Sequence, residues 1–311
     1  MNTVLDRFEP RKIIVFSRDE LKQSEMMADL AQRGVSPTRF FIGDVRDVDR
    51  LELAMRDVDY VVHAAALKQV PAAEYNPFEC IRTNVHGAEN VVTAALRTGV
   101  RKVIALSTDK AANPINLYGA SKLASDKILV AANNLSGSQD THFSVVRYGN
   151  VIGSRGGVVD VFRRLMSEGS KTLPITDRRM TRFWITLQQG VEFVLSSLEM
   201  MRGGEIFVPR IPSLKIVDLT HFMAPHLGQE EVGIRPGEKL HEIMITVDDA
   251  RSTVALADRF IIEPSLVFWS HKPFCSEDAC SVGDGFQYSS DTNEEWLTEQ
   301  DWHDFVVEQK E

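Results

Sequence analysis

Residues 103–122, VIALSTDKAANPINLYGASK, decide both the fold class and the place where chemistry is expected. The apolar run up to Ser107 is typical of a buried strand, and a polar segment rich in proline and asparagine follows it. A helix is predicted to begin near Tyr118. On that helix Tyr118 and Lys122 are four residues apart and therefore share a face. An ammonium beside a phenol lowers the phenol pKa, so this pair predicts a base that works near neutral pH.

Three polar residues, Thr108, Asp109 and Lys110, come directly after the predicted strand. In α/β proteins with parallel sheets, ligands bind at the carboxyl ends of the strands. A carboxylate next to an ammonium suits acid–base work there, because each group tunes the proton affinity of the other. The alternative interpretation is an ion pair on the protein surface.

Strands and helices alternate on both sides of this stretch. The predicted strands are apolar runs rich in Ile and Val, at residues 12–17, 39–42, 60–65, 103–107 and 143–148. The apolar spacing between them predicts helices, among them one at 18–33 and a long one at 77–99. Continuous apolar strands joined by helices are typical of a parallel sheet covered on both faces. The sequence therefore predicts an α/β fold with a doubly wound parallel sheet, although an unrelated α/β hydrolase or transferase would give the same pattern.

After Gly149 the periodicity is looser. Helices are predicted at 158–166, 186–201 and 216–224, with a strand at 205–209 and a final helix that opens at Thr298. We therefore expect a first domain at residues 1–150 and a smaller, mainly substrate-binding region at residues 151–311.

Composition limits the classes of partner. The chain has 311 residues, 43% of them hydrophobic and 25% charged, and a formal net charge of −9. That charge argues against a general nucleic-acid or anionic-membrane surface. No apolar run reaches membrane-spanning length and no signal peptide is evident, so we expect a cytoplasmic protein. The paired spacing of a zinc site is absent from His271, Cys275 and Cys280. We therefore expect no bound metal, and we expect the cysteines to be free thiols.

Several longer motifs together resemble one family, the extended short-chain dehydrogenases/reductases. Within it, they are most similar to the inverting UDP-N-acetylglucosamine 4,6-dehydratases of pseudaminic acid biosynthesis. The matching segments are SRDELKQ (17–23), RFFIGDVRD (39–47), HAAALKQVPAAEYNP (63–77), ALSTDKAANPINLYGASK (105–122), VVRYGNVIGSRG (145–156), PITDRRMTRFWIT (174–186), GGEIFVPRIPS (203–213) and IRPGEKLHE (234–242). The resemblance implies a Rossmann-like fold, a lyase that acts on UDP-N-acetylglucosamine with NADP, and a homo-oligomer in surface-polysaccharide or flagellin modification.

The resemblance also implies a cofactor site. In this architecture the residue after the family's second strand meets the adenosine ribose, where an arginine accommodates the 2′-phosphate of NADP. The first strand of this sequence, residues 12–17, matches that second strand. Here that strand ends Ser17-Arg18-Asp19, with Lys22 one turn on, so NADP is favoured. Arg18 and Lys22 could instead be a solvated helix start. The remaining positions that match the family's cofactor contacts are Asp44, Val45, Ala64, Ala65, Lys68, Asn84, Tyr118, Lys122 and Val151.

One departure from the family concerns its beginning. The family opens with a strand and a glycine-rich turn that approaches the cofactor pyrophosphate. The first strand of this sequence matches the family's second strand instead. We therefore expect that residues 1–150 are an incomplete NADP-binding domain, that an N-terminal segment is lacking, and that neighbouring strands lose a ladder partner.

The family's catalytic roles fall on five residues. The resemblance implies that Tyr118 removes the proton of the sugar 4-OH, while Thr108 hydrogen-bonds that hydroxyl and Lys122 binds the nicotinamide ribose and lowers the pKa of Tyr118. Lys110 would take the proton from C5, and Asp109 would protonate the departing 6-OH. Reprotonation of C5 from the opposite face would invert that centre.

The substrate contacts follow in the same way. Arg182 and Arg235 match arginines that hold the UDP phosphates, and arginine suits oxyanions because it binds them bidentately. Asn150 matches a sugar-contacting amide, Thr172 lies in a segment that runs along uracil, and Lys68 is shared between cofactor and substrate. Two alternatives stay open: a UDP-sugar 4-epimerase or reductase of the same superfamily, and a catalytically inactive, truncated nucleotide-sugar-binding protein.

Overall fold

The structure is a computed structural model that describes residues 1–34, 38–137, 139–154, 156–274 and 280–308. In chain order the strands are β1 (Ile13–Ser17), β2 (Thr38–Ile42), β3 (Tyr60–His63), β4 (Lys102–Leu106), β5 (His142–Val146), β6 (Asn150–Val151), β7 (Thr172–Ile175), β8 (Thr181–Ile185), β9 (Ile206–Pro209), β10 (Ser213–Lys215), β11 (Gly228–Glu231), β12 (Ile243–Ile245), β13 (Thr253–Ala255), β14 (Arg259–Ile262), β15 (Cys280–Ser281) and β16 (Tyr288–Ser289).

The α-helices are α1 (Asn2–Arg7), α2 (Glu20–Gln32), α3 (Val48–Met55), α4 (Val70–Tyr75), α5 (Pro77–Ile81), α6 (Gly87–Thr98), α7 (Leu117–Ala131), α8 (Val158–Ser167), α9 (Leu187–Met200), α10 (Ile216–Met223) and α11 (Glu299–Glu308). A π-helical turn covers Arg82–His86, and 3-10 turns cover Asp109–Ala111, Ala132–Leu135 and Asp249–Ser252. No helix in the described ranges is long and apolar enough to cross a membrane.

A seven-stranded sheet forms the centre of the molecule, in the order β15-β13-β14-β9-β5-β4-β3. The strands β3, β4, β5 and β9 run parallel, and β14, β13 and β15 continue the sheet antiparallel. Strands from both sides of residue 150 therefore share one sheet. The proposed division into 1–150 and 151–311 stays a prediction.

Helices cover both faces of the parallel part, because successive side chains of a strand point to opposite faces. Val103 of β4 packs in a core cluster with Val91 of α6 and Leu129 of α7. The next residue, Ile104, packs in a different cluster with Phe193 of α9. This is the doubly wound arrangement that the continuous apolar strands predict.

A second core lies in the C-terminal half. Trp184 of β8 and Trp302 of α11 meet edge to face with ring centroids 5.7 Å apart. Thr298 caps α11 as the sequence predicts, since its hydroxyl accepts a hydrogen bond from the Asp301 N–H at 3.2 Å, and Asp301 Oδ2 accepts one from the Thr298 N–H at 2.8 Å. This core gives the C-terminal half its own packed interior.

The predicted long helix at 77–99 is interrupted. The structure has α5, the π-helical turn and then α6 in its place. Asn84 lies in the π-helical turn, and its side chain is bonded to the backbone of Leu67 in a different segment. The extra residue of a π-turn redirects a side chain, and such turns are frequent at functional sites.

Strands β1 and β2 pair with each other in parallel and form a separate two-stranded sheet. Within the described residues β1 has only β2 as a ladder partner, and β3 has only β4. Both β1 and β3 line a cleft of about 1160 Å³ whose walls include the apolar side chains of Ile14, Phe16 and Val61. Among the described residues, β1 and β3 each have one edge without a ladder partner.

The start of α7 lies directly against the turn that carries Lys110. Asn116 caps the helix by accepting a hydrogen bond from the Gly119 N–H at 2.7 Å. A Cβ atom at Gly119 would lie 2.2 Å from the carbonyl oxygen of Lys110 and 3.1 Å from Cβ of Pro114. Only glycine permits this approach, which sets Tyr118 beside the Asp109–Ala111 turn.

We expect Gly119→Ala to lower the unfolding temperature. Alanine in a helix is normally favoured over glycine by about 1 kcal/mol. Here a methyl group would be forced into backbone, and overpacking costs about 1–3 kcal/mol. Gly190→Ala in α9 is the matched control, because nothing lies within 4 Å of its Cβ position and the variant should be at least as stable as the parent. Equal or higher thermal stability of Gly119→Ala would contradict the close approach.

Candidate active site

The predicted catalytic residues follow β4, at its carboxyl end. The N–H of Ser107 donates to the Val146 carbonyl at 2.7 Å, and the N–H of Asp109 donates to the Tyr148 carbonyl at 3.1 Å. The chain after β4 therefore continues alongside the chain after β5. These two backbone bonds fix where the Asp109 and Lys110 side chains start.

Asp109 and Lys110 form a buried ion pair. The Asp109 side chain is fully buried, and its Oδ1 lies 3.0 Å from the Lys110 Nζ. Burial alone would lower the pKa of Lys110, but the carboxylates of Asp109 and Glu242 raise it well above its usual value. Lys110 is therefore an ammonium in this structure. Among the described residues, Asp109 Oδ2 is buried and has no hydrogen-bond partner, so one carboxylate oxygen is free to meet a ligand.

Tyr118 is nearly buried beside this pair. Burial raises the pKa of Tyr118 to about 12, with Asp109 adding to the rise, while the Lys110 ammonium and a hydrogen bond with Thr108 lower it. The expectation that Tyr118 has a lowered pKa is therefore wrong for this structure, because burial outweighs the cation. Thr108 also donates to Asp109 Oδ1 at 2.8 Å. The four side chains Thr108, Asp109, Lys110 and Tyr118 thus form one connected group.

Lys122 lies one turn further along α7 and is buried. Burial lowers its pKa, and the nearby Asp126 carboxylate partly offsets that effect. Asp126 accepts hydrogen bonds from the Ser107 hydroxyl at 2.8 Å and from Arg147 Nη2 at 3.4 Å. Asp126 is a site residue that the sequence interpretation missed, although its i, i+4 spacing from Lys122 was a visible signal.

Glu242 is the second residue that was missed. Its Oε1 lies 3.4 Å from Lys110 Nζ and 3.8 Å from Arg182 Nε, and its Oε2 lies 3.8 Å from Lys239 Nζ. The side chain is buried. The motif IRPGEKLHE contains this glutamate, but nothing local in the sequence indicates that it reaches the turn after β4.

Arg182 is placed differently from the prediction. Its Nη1 donates to the carbonyl oxygens of Thr181 at 2.7 Å and Leu240 at 3.1 Å, and its Nη2 donates to that of Lys239 at 2.9 Å. The buried guanidinium therefore holds the segment around Lys239 and is already occupied. Arg235, the other predicted phosphate ligand, has an exposed side chain. The two arginines differ in their availability to an anion.

The other predicted substrate contacts are dispersed along the chain. Asn150 is half-buried and pairs with Trp184 through the β6–β8 ladder. Thr172 begins β7, and its hydroxyl lies 3.3 Å from Glu230 Oε2. Lys68 is exposed in the connection between β3 and α4. Their roles in substrate binding stay predictions.

At the carboxyl end of β1 the predicted adenosine contacts come together. Arg18 Nη1 lies 3.3 Å from Asp44 Oδ2, and Lys22 Nζ lies 3.3 Å from Asp19 Oδ2. About half of each cationic side chain is exposed. Although burial opposes it, hydrogen bonds from Arg46 hold the pKa of Asp44 below its usual value. The exposed cations of Arg18 and Lys22 suit a phosphate group at this end.

The remaining residues that were predicted to contact the cofactor lie in several different segments of the chain. Ser17 accepts a hydrogen bond from the Asp19 N–H at 3.1 Å. Val45 is buried, Ala64 and Ala65 are exposed after β3, and Val151 pairs with Ile185. No glycine-rich turn follows β1, β2 or β3 in the described part of the chain. The residues present fit the two ends of a dinucleotide. Arg18 suits the adenosine end, and Tyr118 and Lys122 suit the nicotinamide end.

Asn84 is used inside the protein rather than presented to a ligand. Its Oδ1 accepts from the Leu67 N–H at 2.8 Å, and its Nδ2 donates to the Leu67 carbonyl at 3.0 Å and to the Ser121 hydroxyl at 2.9 Å. Ser121 in turn donates to the Tyr118 carbonyl at 2.7 Å. The amide of Asn84 joins the segment after β3 to α7, and its role in cofactor binding stays a prediction.

The described residues include one free cysteine and no cluster of metal ligands. Cys80 is a free, buried thiol. Cys275 and the side chain of Cys280 lie outside the described residues. Within the described ranges no three His, Cys, Asp or Glu side chains gather as metal ligands.

Comparisons with known proteins match this geometry. The family model described as "Polysaccharide biosynthesis protein" matches residues 1–264. A Campylobacter jejuni protein named UDP-N-acetylglucosamine 4,6-dehydratase (inverting) is 56% identical over 308 residues, which are 97% of this chain and 91% of that protein. Such identity over nearly the whole chain confirms the resemblance read from the motifs.

Solved structures confirm the fold. The X-ray structure of Pen from Bacillus thuringiensis superposes with a TM-score of 0.89 at 34% identity and covers 99% of this chain and 93% of that one. DesIV, a dTDP-glucose 4,6-dehydratase from Streptomyces venezuelae solved with NAD bound, gives a TM-score of 0.66 at 25% identity and covers 77% of this chain and 80% of that one. From its sequence, fold and relatives, the chain belongs to the polysaccharide biosynthesis protein family, on a Rossmann-like short-chain dehydrogenase/reductase fold.

Proposed function

We propose that this chain is a C5-inverting UDP-N-acetylglucosamine 4,6-dehydratase, a hydro-lyase that works with NADP. The observation that carries the proposal is the 3.0 Å contact between Lys110 Nζ and Asp109 Oδ1, next to Thr108 and Tyr118. A base and an acid in contact are what an elimination of water needs. The Campylobacter jejuni relative, which bears that name and is 56% identical, supports it.

The first proton comes from the sugar 4-OH. Tyr118 accepts it, and Thr108 holds the hydroxyl by a hydrogen bond. Tyr118 must act as its phenolate, and its pKa of about 12 means that this form is scarce at neutral pH. The Lys110 ammonium and the Thr108 hydrogen bond are the two contacts that favour the phenolate.

The elimination uses the ion pair. Transfer of one proton from the Lys110 ammonium to Asp109 converts the pair into a neutral amine and a carboxylic acid without any net change in charge. Lys110 then takes the C5 proton, which the 4-ketone has made acidic. Asp109 gives its proton to the 6-oxygen as the C6–O bond breaks, so the sugar loses one water. Reprotonation of C5 on the opposite face inverts that centre.

A nicotinamide dinucleotide bound here would supply hydride transfer between C4 and C6 of the sugar. In our proposal Arg18 and Lys22 hold the 2′-phosphate that distinguishes NADP from NAD, and Lys122 holds the nicotinamide ribose. The NAD in the DesIV structure supports a nicotinamide dinucleotide in general. The choice of NADP rests on the exposed cations at the end of β1.

The UDP-sugar is held by cations in this proposal. Arg235, whose side chain is exposed, is the better placed of the two arginines to bind a phosphate. Arg182 binds the diphosphate only if it releases backbone carbonyls, so its main contribution is to hold the segment around Lys239. Asn150, Thr172 and Lys68 complete the proposed substrate contacts.

A 4-epimerase or reductase of the same superfamily is the competing function. Such an enzyme exchanges hydride at C4 and needs no base for the C5 proton. The buried Asp109–Lys110 pair has no role in that chemistry, which favours the dehydratase. A place in pseudaminic acid or other surface-polysaccharide synthesis, a homo-oligomeric state and a cytoplasmic location stay predictions.

Incubation of the protein with UDP-N-acetylglucosamine and NADP tests the function directly. We expect mass spectrometry to find a nucleotide sugar lighter by one water, with no net accumulation of NADPH. An epimerase conserves the mass of the substrate, so an isomer of equal mass would contradict the proposal. Unchanged substrate in the presence of bound NADP would indicate an inactive nucleotide-sugar-binding protein.

Arg18→Ala tests the cofactor preference. A hydrogen bond to a charged group contributes about 1.5–3 kcal/mol, so we expect NADPH binding to weaken by about tenfold or more. NADH binding, which involves no 2′-phosphate, should change little. Arg11→Ala, in the segment just before the opposite end of β1, is the charge-matched control. Equal weakening for both nucleotides, measured by fluorescence titration, would contradict the assignment of Arg18.

A further inference from the structure

Glu242 is buried at a point where three cations converge. Its two carboxylate oxygens face Lys110 at 3.4 Å, Arg182 at 3.8 Å and Lys239 at 3.8 Å. A buried carboxylate is costly unless cations and hydrogen bonds compensate it. Among the described residues, Glu242 Oε2 is buried without a hydrogen-bond partner. The side chain is therefore held mainly by charge.

The backbone of Glu242 is pinned in place. Its N–H donates to the Ser290 hydroxyl at 2.9 Å, and its carbonyl accepts from the Ser290 N–H at 2.8 Å. The Ser290 hydroxyl also lies 2.7 Å from the Thr181 hydroxyl on β8. Arg182, the next residue on β8, holds the carbonyl oxygens of Lys239 and Leu240. Two consecutive residues of β8 thus fix the segment that carries Glu242.

The same segment reaches the turn after β4. Lys239 Nζ donates to the Ala112 carbonyl at 2.5 Å, just beyond Asp109–Ala111. The Lys110 ammonium consequently lies between two carboxylates from different parts of the chain, Asp109 from its own turn and Glu242 from the C-terminal region. Opposite charges within about 4–6 Å favour the charged form of a group.

We propose that Glu242 is a positioning residue that fixes the Lys110 ammonium and sets the charge balance between Lys110 and Asp109. This inference rests on the proposed function, since it concerns the base of the elimination. With Glu242 charged, Lys110 keeps its proton until that proton passes to Asp109. Glu242 thereby controls when Lys110 becomes a free amine.

The charged and titratable groups that face Lys110 come from every neighbouring element. The carboxylates of Asp109 and Glu242 favour the Lys110 ammonium, and Arg182 on β8 opposes it. The Lys239 ammonium and the phenol of Tyr118, which lies on α7, are the other groups near Lys110. Removal of the Glu242 charge leaves one carboxylate, Asp109, and two cations, Arg182 and Lys239, facing Lys110. The equilibrium between the ammonium and the neutral amine of Lys110 then moves towards the amine.

Glu242→Gln keeps the size of the side chain and removes its charge. We expect the basic limb of the kcat/KM profile against pH to move to lower pH by about one unit or more, because the pair loses its one proton more readily once the nearby negative charge is removed. Glu242→Asp, which keeps the charge, should retain the position of the limb even if its rate falls. Glu238→Gln is the control, because Glu238 lies in the same segment and its nearest cation is Arg182, at 4.0 Å.

A measurement that needs no turnover keeps the inference independent of catalysis. Competitive labelling with acetic anhydride over a range of pH reports the pKa of each lysine without turnover. We expect Lys110 to react as an amine of raised pKa, and the Glu242→Asp variant to do the same. A Lys110 pKa at or below the ordinary lysine value, or a Glu242→Gln pH profile that coincides with the parent's, would overturn the proposal. If the labelling result is as expected but the protein does not dehydrate the sugar, the proposed function is contradicted and the inference about Glu242 is not.

Discussion

The buried pair of Asp109 and Lys110 is the interaction on which the site depends. Placing two charges inside a protein costs several kcal/mol for each ion, and the cost is repaid only by close contact and further compensation. Here the compensation comes from Glu242, 3.4 Å from the Lys110 ammonium, and from the Thr108 hydroxyl, 2.8 Å from Asp109. Neighbours that stabilise the two charges also oppose passage of the proton from Lys110 to Asp109, so they set when that transfer occurs.

Elements from several parts of the chain position the turn that carries this pair. Strands β4 and β5 place the turn, glycine at position 119 lets α7 touch its backbone, and Asn84 clamps the segment after β3 to the same helix. The C-terminal region then adds Glu242 and Lys239 from the far side. The site is therefore shared between both halves of the chain, which agrees with a central sheet built from strands on both sides of residue 150.

The sequence predicted what local pattern controls. Continuous apolar strands predicted the fold, and the Asp109-Lys110 pair after a strand with the Tyr118–Lys122 spacing predicted that Thr108, Asp109, Lys110 and Tyr118 lie together at the end of β4. The direction of the Tyr118 pKa was missed because it depends on burial against charge, which only packing decides. The backbone contacts of Arg182 and the contact between Glu242 and Lys110 were missed for a related reason, because these partners are distant in sequence and leave no local signal.

The central claim is that Lys110 moves the C5 proton in an elimination. The most direct measurement is the reaction in deuterium oxide, comparing the parent protein with Lys110→Ala. We predict that the parent incorporates one deuterium at C5 of the dehydrated sugar, with inverted configuration, and none at C6. In Lys110→Ala we predict neither dehydration nor exchange at C5. Exchange at C5 at the parental rate in that variant would contradict the account.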